Sequence, residues 1–226
     1  MRILIACEFS GVVREAFKAR GHDAWSCDLL PTEIPGQHLQ MDVRSALDRK
    51  LWDVWFKGWD MMIAFPPCTH LASSGARWFK GKELQQGMAL YFIRMLLEQS
   101  IEKIALENPV GIISTRIRKP DQIIQPWMFG HRESKRTCLW LKGLPLMATH
   151  LVAPVLKKNP DGTDYRDKKG KRYSNTHYYT GRMQKRYLNQ TPSGQNNVGE
   201  QKDRWKIRSR TYKGVAEAMA SQWNFD

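Results

Sequence analysis

Short strand-like runs alternate with amphipathic stretches in the first part of the chain. Strands are predicted at residues 2–6, 23–27 and 60–65, and helices at residues 12–19 and about 83–99. Strands that alternate with helices are typical of βαβ units, in which parallel strands share one sheet.

The second of these helices has a regular apolar spacing. Leu84, Met88, Phe92 and Leu96 recur every four residues, which predicts one apolar stripe that lies on the sheet. The methionines of this helix are accordingly expected in the core.

Further elements extend the predicted sheet. Residues 39–41 end a candidate third strand, and residues 101–106 and 137–141 have the pattern of later strands. Near the C-terminus, Val215 and Trp223 bracket a helical apolar spacing. The sequence therefore predicts an α/β fold with a mostly parallel open sheet and helices on both faces.

From about residue 155 the aliphatic periodicity stops. The following stretch is rich in Lys, Arg, Gly, Asn and Tyr. We expect a core at residues 1–155, a small basic segment at 156–206, and a C-terminal helix at 207–226 that returns to the core.

Charge is concentrated in the last third of the chain. The formal net charge is +14, and residues 151–226 hold 16 Lys and Arg against 7 Asp and Glu. A basic segment of this kind usually meets a polyanion, so nucleic acid is the expected partner, and a solvated charged surface is the alternative. No apolar run is long enough to cross a bilayer, so we expect no membrane partner and a cytoplasmic location.

The cysteine content argues for reduced thiols. Four cysteines occur, with no CxxC pair and no cluster at zinc-ligand spacing, and no metal is expected. We expect a monomer.

The turn after the first strand has the position of a nucleotide-like ligand site. Cys7 to Gly11 breaks the strand and opens a helix, but without GxGxxG it offers no cradle for a diphosphate, so a phosphate-free nucleoside cofactor fits better. Asp28 follows the second strand, where a carboxylate can bind ribose hydroxyls, and Asp42 could meet an adenine amino group. Helix capping is the alternative for both aspartates.

One cysteine has the surroundings of a nucleophile. Phe65-Pro66-Pro67-Cys68 closes an apolar strand on a rigid turn, and the polar Thr69-His70 follows. A lone cysteine is more often a buried small hydrophobe, but a packed strand would not continue in this way. Cys68 is the candidate attacking thiol.

Glu107 follows another strand-like run, just before Asn108-Pro109. It could cap a turn, yet the carboxyl end of a parallel strand is where sites form. A buried, protonated Glu107 could donate to a ring nitrogen while Cys68 attacks.

Together these residues resemble the DNA cytosine-C5 methyltransferases that use S-adenosyl-L-methionine (AdoMet), in particular the short forms carried by phages. The resemblance covers most of residues 1–150 and the C-terminal end, where Arg208 to Tyr212 resemble the terminal motif. It implies a Rossmann-like class I methyltransferase fold. It also implies catalysis by Cys68 and Glu107, and cofactor contacts from Phe9, Ser10, Gly11, Asp28, Asp42, Phe65 and Pro66.

The chain departs from the family at several positions. Thr69 stands for the usual glutamine, Pro109 for a valine, and Lys213-Gly214 for a Gly-Asn pair. The arginine motif of the family is not clearly present, and its nearest substitutes are Arg132, Lys135 and Arg136. We expect Arg132 or Arg136 to complete the catalytic set.

The expected DNA-binding residues lie mostly in the basic segment. Ser74 falls in the loop that, by resemblance, closes on DNA. The segment itself interleaves five of the seven tyrosines with cations that can hold phosphates. The candidates are Arg166, Lys169, Arg172, Arg182, Lys185 and Arg186. A surface loop whose tyrosines pack on the core is the alternative.

The resemblance implies methyl transfer from AdoMet to C5 of a flipped cytosine in double-stranded DNA. An enzyme that methylates an amino group would need an aromatic residue where Cys68 stands. A cysteine-dependent pyrimidine-C5 methyltransferase of RNA remains open, as does an inactive methyltransferase-like DNA-binding protein.

Overall fold

The computed structural model describes residues 1–47, 58–131, 133–149, 155–156, 159–161, 163, 174–175 and 204–225. The chain divides into two compact units. The first consists of Met1–Ile124, Arg136–Met147 and Arg210–Asp226, and the second of Gln125–Lys135 and Ala148–Ser209. The domain boundaries expected at residues 155 and 206 remain predictions.

The first unit is built on a seven-stranded sheet with the order β3-β2-β1-β4-β5-β7-β6. All neighbours from β3 to β5 pair in parallel, whereas β7 is antiparallel to both β5 and β6. The strands are β1 (Arg2–Ala6), β2 (Asp23–Asp28), β3 (His38–Gln40), β4 (Met61–Ala64), β5 (Lys103–Pro109), β6 (Gln122–Ile124) and β7 (Thr137–Lys142).

Helices connect these strands. They are α1 (Val12–Lys18), α2 (Val43–Ala46), α3 (Glu83–Leu97), α4 (Ile113–Arg116) and the C-terminal α6 (Lys213–Gln222), with a 3-10 helix at Ser73–Trp78. Among the described residues none of the helices is long and apolar enough to cross a membrane.

Strand order and the single reversed strand define the Rossmann-like fold of class I methyltransferases, as the sequence predicts. The central strands are apolar on both faces, which parallel strands between helical layers require. All four residues of β4 are fully buried, as are Ile3, Leu4 and Ile5 of β1. Residues of the candidate site follow the carboxyl ends of these strands.

The predicted stripe of the long helix is only partly correct. Leu96 is fully buried, but Leu84 is 75% and Met88 65% exposed. A spacing of four turns about 40° further at each step, because a helix has 3.6 residues per turn, so Leu84 and Leu96 point in different directions. The placement of the helix methionines in the core is therefore wrong for Met88.

The second unit is described in part. β8 (Val155–Leu156) pairs antiparallel with β9 (Ser174–Asn175), and α5 spans Arg204–Ser209. A 3-10 helix occupies Pro126–Phe129. Lys135 Nζ donates to the carbonyl of Arg208 at 3.1 Å.

Candidate active site

The candidate site lies where β1, β2, β4 and β5 end. These strands are parallel neighbours, so their carboxyl ends meet at one edge of the sheet, the edge at which open α/β sheets bind ligands. The Phe65 amide donates to the carbonyl of Ala6 at 2.9 Å, which carries the pairing of β1 and β4 beyond Ala64. The residues after β1 and β4 therefore lie next to each other.

Cys68 sits on a tight turn after β4. Its carbonyl accepts hydrogen bonds from the amides of Leu71 and Ala72, both at 3.0 Å, so the chain reverses directly after the thiol. Pro66 is buried, whereas the Cys68 side chain is half-buried. The turn thus leaves the sulfur partly accessible.

Glu107 and Asn108 stand beside this turn because of strand register. Ala64 pairs with Leu106, so the residues that follow them continue side by side. Asn108 is 1% exposed, and its Nδ2 donates to the carbonyl of Pro66 at 2.9 Å. This buried hydrogen bond joins the two sequence motifs across neighbouring strands.

The Asn108 side chain has a second polar atom, its amide oxygen Oδ1. Asn108 Oδ1 is buried and accepts no hydrogen bond from the described residues. Glu107 itself is half-buried. A buried acceptor and a carboxyl group therefore stand together beside the Cys68 turn.

The turn after β1 is closed by its own side chains. Glu8 Oε1 accepts from the Val13 amide at 2.8 Å and from Ser10 Oγ at 2.9 Å, so Glu8 caps the start of α1. Burial raises the pKa of the Glu8 carboxyl, and the hydrogen bonds from Val13 and Ser10 oppose this effect. Phe9 and Ser10 are also buried, at 7% and 2% exposure.

Gly11 completes this turn with a left-handed backbone, at φ 75°. A Cβ at Gly11 would stand 2.8 Å from the guanidinium of Arg14. Conformation and space together favour glycine there. Cys7 is the described non-glycine residue with a positive φ, at 58°.

The two predicted aspartates differ in their surroundings. Asp28 ends β2 and is half-buried, and its Oδ1 accepts from the Leu30 amide at 2.9 Å. Burial raises the pKa of its carboxyl. Asp42 caps α2, and hydrogen bonds from the Arg44 side chain lower the pKa of its carboxyl. Asp42 thus already has a cationic partner, whereas the Asp28 carboxyl accepts from the backbone that follows β2.

Arg136 directly precedes β7, which runs antiparallel to β5. Because Thr137 pairs with Pro109, the exposed Arg136 lies at the same sheet edge as Glu107. Ser74 is exposed in the 3-10 helix that follows the Cys68 turn. Seven further predicted site residues lie outside the described part of the chain: Arg132, Arg166, Lys169, Arg172, Arg182, Lys185 and Arg186.

Sequence reasoning missed a buried arginine beside the first turn. Arg14 is fully buried and donates to Ser26 Oγ, Thr32 Oγ1 and the carbonyl of Ile34. It fastens residues 32–34, in the connection between β2 and β3, to α1. A cation at an inward position of the predicted helix was the available signal.

The same connection has two further attachments. The Glu33 amide donates to the carbonyl of Phe9 at 2.8 Å. Arg210 donates to both carboxylate oxygens of Glu33, at 2.8 and 2.7 Å. The chain segment before α6 is therefore tied to the connection that adjoins Phe9.

The described residues contain no group of three or more His, Cys, Asp or Glu side chains that could hold a metal ion. The side chains at this sheet edge instead combine a thiol with carboxylates and an amide. Such a set can perform nucleophilic and acid-base chemistry.

No protein-family model matches this chain. No curated protein matches it either. Among solved structures it resembles a protein encoded within a prophage (E. coli) and described, by inference, as a DNA modification methyltransferase. That likeness has 13% identity and a TM-score of 0.43, and covers 62% of this chain and 46% of the other. The chain thus spans less than half of that protein, and the strand order alone defines the fold.

Proposed function

We propose that this protein is an AdoMet-dependent DNA cytosine-C5 methyltransferase in which Cys68 is the nucleophile and Glu107 the acid. The observation that carries the proposal is the buried hydrogen bond from Asn108 Nδ2 to the carbonyl of Pro66 at 2.9 Å. It connects the segment that ends in the thiol with the segment that bears the carboxyl group. Two motifs that are far apart in sequence thereby become one site.

The residues suit addition to a pyrimidine ring. The Cys68 thiolate forms a bond to C6, and the displaced electron pair makes C5 nucleophilic while Glu107 gives its proton to N3. C5 would then form a bond to the methyl group that AdoMet supplies when bound, while the bond between that methyl group and the cofactor sulfur breaks and the sulfur keeps the electron pair. Loss of the C5 proton to a base restores the C5–C6 double bond, expels the thiolate and lets N3 return its proton to Glu107.

The turn after β1 fits a cofactor without phosphates. A helix N-terminus ordinarily attracts phosphate, but here the Glu8 carboxyl already accepts the Val13 amide at 2.8 Å. A diphosphate would meet this buried acid. AdoMet, which supplies an electrophilic methyl group when bound, carries ribose hydroxyls that Asp28 could accept and no phosphate.

The charge of the chain supports a nucleic-acid substrate. A net charge of +14 favours a polyanionic partner, and each neutralised phosphate releases counterions. In a duplex the target ring is hidden in the stack, so the base must be flipped out, at a cost of a few kcal/mol. We assign the compensating contacts to the basic segment at residues 156–206 and to Ser74, with Arg136 or Arg132 beside the flipped base.

The deciding experiment incubates the purified protein with AdoMet and mixed-sequence duplex DNA, followed by mass spectrometry of the nucleosides. We expect 5-methylcytosine with the wild-type protein and none with Cys68→Ala. A duplex that contains 5-fluorocytosine should trap Cys68 as a stable thioether, because fluorine cannot leave C5 as the proton does.

Other outcomes of this experiment would support one of the alternative functions or contradict the mechanism. Modification of an RNA substrate, but not of DNA, would assign the RNA alternative. Tight DNA binding without AdoMet binding, product or adduct would assign the inactive DNA-binding alternative. A Cys68→Ala variant with normal activity would overturn the mechanism.

A further inference from the structure

Backbone hydrogen bonds join the chain segments that follow Cys68 and Asn108. The Ser73 amide donates to the carbonyl of Val110, and the Ile112 amide donates to the carbonyl of Leu71, both at 2.9 Å. Ala72 and Gly111 face each other between these bonds as an antiparallel bridge. Residues 71–73 and 110–112 together form what we call the clamp.

Space at the clamp requires glycine. A Cβ at Gly111 would stand 1.9 Å from the carbonyl oxygen of Leu71 and 2.8 Å from its carbonyl carbon. Both atoms belong to the backbone, so no side-chain rotation could relieve the contact. Any larger residue at Gly111 therefore has to push the two segments apart.

The clamp holds the far end of the Cys68 turn. At the near end, Pro66 is held by the buried amide of Asn108. At the far end, Ala72 is held opposite Gly111, and the Cys68 carbonyl accepts the amides of Leu71 and Ala72. Residues 67–71, which include the thiol, thus span two fixed points that both belong to the segment directly after Glu107.

We propose that Gly111 is a positioning residue, and that the clamp sets the separation between the Cys68 thiol and the Glu107 carboxyl. The inference rests on the proposed function for its catalytic meaning, since addition at C6 and proton donation at N3 must occur on one ring. A misplacement of about 1 Å can lower a rate by about 100-fold. The close approach at Gly111 prevents such a displacement.

The test compares Gly111→Ala with Gly87→Ala. Gly87 lies in α3, and a Cβ at this position would have nothing within 4 Å, so the same chemical change there meets open space. We expect Gly111→Ala to lower kcat by about 100-fold while the KM for AdoMet stays within about twofold, and Gly87→Ala to leave both unchanged. Rates are divided by the folded fraction, which removes any purely structural effect.

A second variant avoids the steric conflict. Ser73 Oγ donates to the carbonyl of Val110 at 2.9 Å from an exposed position. Ser73→Ala deletes this bond and keeps the backbone pairing, so it should fold. We expect a loss of about threefold in kcat, in the same direction as Gly111→Ala.

A measurement independent of turnover separates this inference from the proposed function. Alkylation of Cys68 by iodoacetamide, followed by peptide mass mapping, reports how firmly the turn is held. We expect faster alkylation in Gly111→Ala than in the wild type and in Gly87→Ala. If the wild type modifies no nucleic acid and this contrast holds, the clamp stands and the proposed function falls. If Gly111→Ala matches the wild type in both kcat and alkylation rate, the clamp proposal is overturned.

Discussion

The two halves of the sheet edge are stabilised in opposite ways. In the β1–β2 half, which comprises residues 7–11 and 28, side chains hold the backbone: Glu8 Oε1 caps α1, and Arg14 binds the connection between β2 and β3. In the β4–β5 half, which comprises residues 65–73 and 107–112, the backbone carries most of the structure. The clamp and the Asn108 bond to Pro66 hold the turn, and Cys68 and Glu107 remain half-buried.

This difference teaches how one sheet edge can serve two purposes. Side chains that hydrogen-bond to neighbouring residues form a rigid surface, and a rigid surface suits the binding of a rigid nucleoside. In the β4–β5 half, main-chain hydrogen bonds and the Asn108 amide fix the turn, and the thiol and the carboxyl group that we propose as reactive are carried on this fixed backbone. The two cysteines at this edge illustrate the contrast, because burial, followed by the negative charge of Asp28, raises the pKa of the Cys7 thiol.

The largest effect should separate the two cysteines. Cys68→Ser is expected to lower kcat by roughly 1,000-fold or more, because serine is a far weaker nucleophile at neutral pH. Cys7→Ser should retain kcat within about tenfold, since the raised pKa of the Cys7 thiol keeps it neutral and a neutral thiol is a poor nucleophile. Initial rates of methyl incorporation measure both. Loss of turnover in Cys7→Ser with normal turnover in Cys68→Ser would reverse the roles of the two halves.

Glu107→Gln tests the acid of the β4–β5 half. The amide cannot donate the carboxyl proton, so kcat should fall by about 100-fold while AdoMet binding is unchanged. Glu98→Gln makes the same change at an exposed residue directly after α3 and should have no effect. Single-turnover rates and AdoMet titration distinguish the outcomes. Weaker AdoMet binding with an unchanged rate would assign Glu107 a role in cofactor binding, which we otherwise give to the β1–β2 half.

The sequence predicts the sheet better than it predicts the helix surfaces. β1 spans residues 2–6 as predicted, because an apolar run of this length fits a buried strand and is too short for a typical helix. α3 has the predicted extent within two residues, but its exposed end was assigned to the core. The spacing of four residues shifts by about 40° at each step, so Leu84 and Met88 leave the face on which Leu96 is buried.

Within the site, the sequence identifies residue types and the topology supplies their proximity. Two motifs at the ends of successive parallel strands are expected to be neighbours, and the register of Ala64 with Leu106 places them so. The clamp at Gly111 could not be predicted, and the partners of the buried Arg14 could not be predicted from its inward position on the helix alone. Both depend on the path of connections whose sequence has no periodicity.

A smaller effect is expected for stability in the β1–β2 half. Burial raises the pKa of Glu8 above its unfolded value, so below the unfolded pKa the residue is protonated in both states and its ionisation does not lower the free energy of unfolding. As the pH rises through the folded pKa, the buried carboxyl ionises and the free energy of unfolding falls. We expect this loss to fall in the pH range between the unfolded and the folded pKa of Glu8.

Denaturant unfolding of the wild type and Glu8→Gln at pH 5 and pH 7 measures this contribution. Glutamine does not titrate, so the variant should lose less stability than the wild type as the pH rises. Both proteins share every other titrating group, so the difference between their changes in unfolding free energy from pH 5 to pH 7 isolates Glu8. Equal changes in the two proteins would mean that protonation of Glu8 is not linked to folding, and that the β1–β2 half is not stabilised by a buried acid.

The smallest effect concerns the ion pair between Arg210 and Glu33. Exposed pairs contribute about 0.2–1 kcal/mol, so Glu33→Gln should lower the free energy of unfolding by less than about 1 kcal/mol. Because the Glu33 amide donates to the carbonyl of Phe9, we also expect a rise of a few fold in the KM for AdoMet at unchanged kcat. Glu102→Gln, which removes the exposed pair with Lys103, is the matched control. A fall in kcat in Glu33→Gln at constant KM would show that the two halves of the edge are coupled.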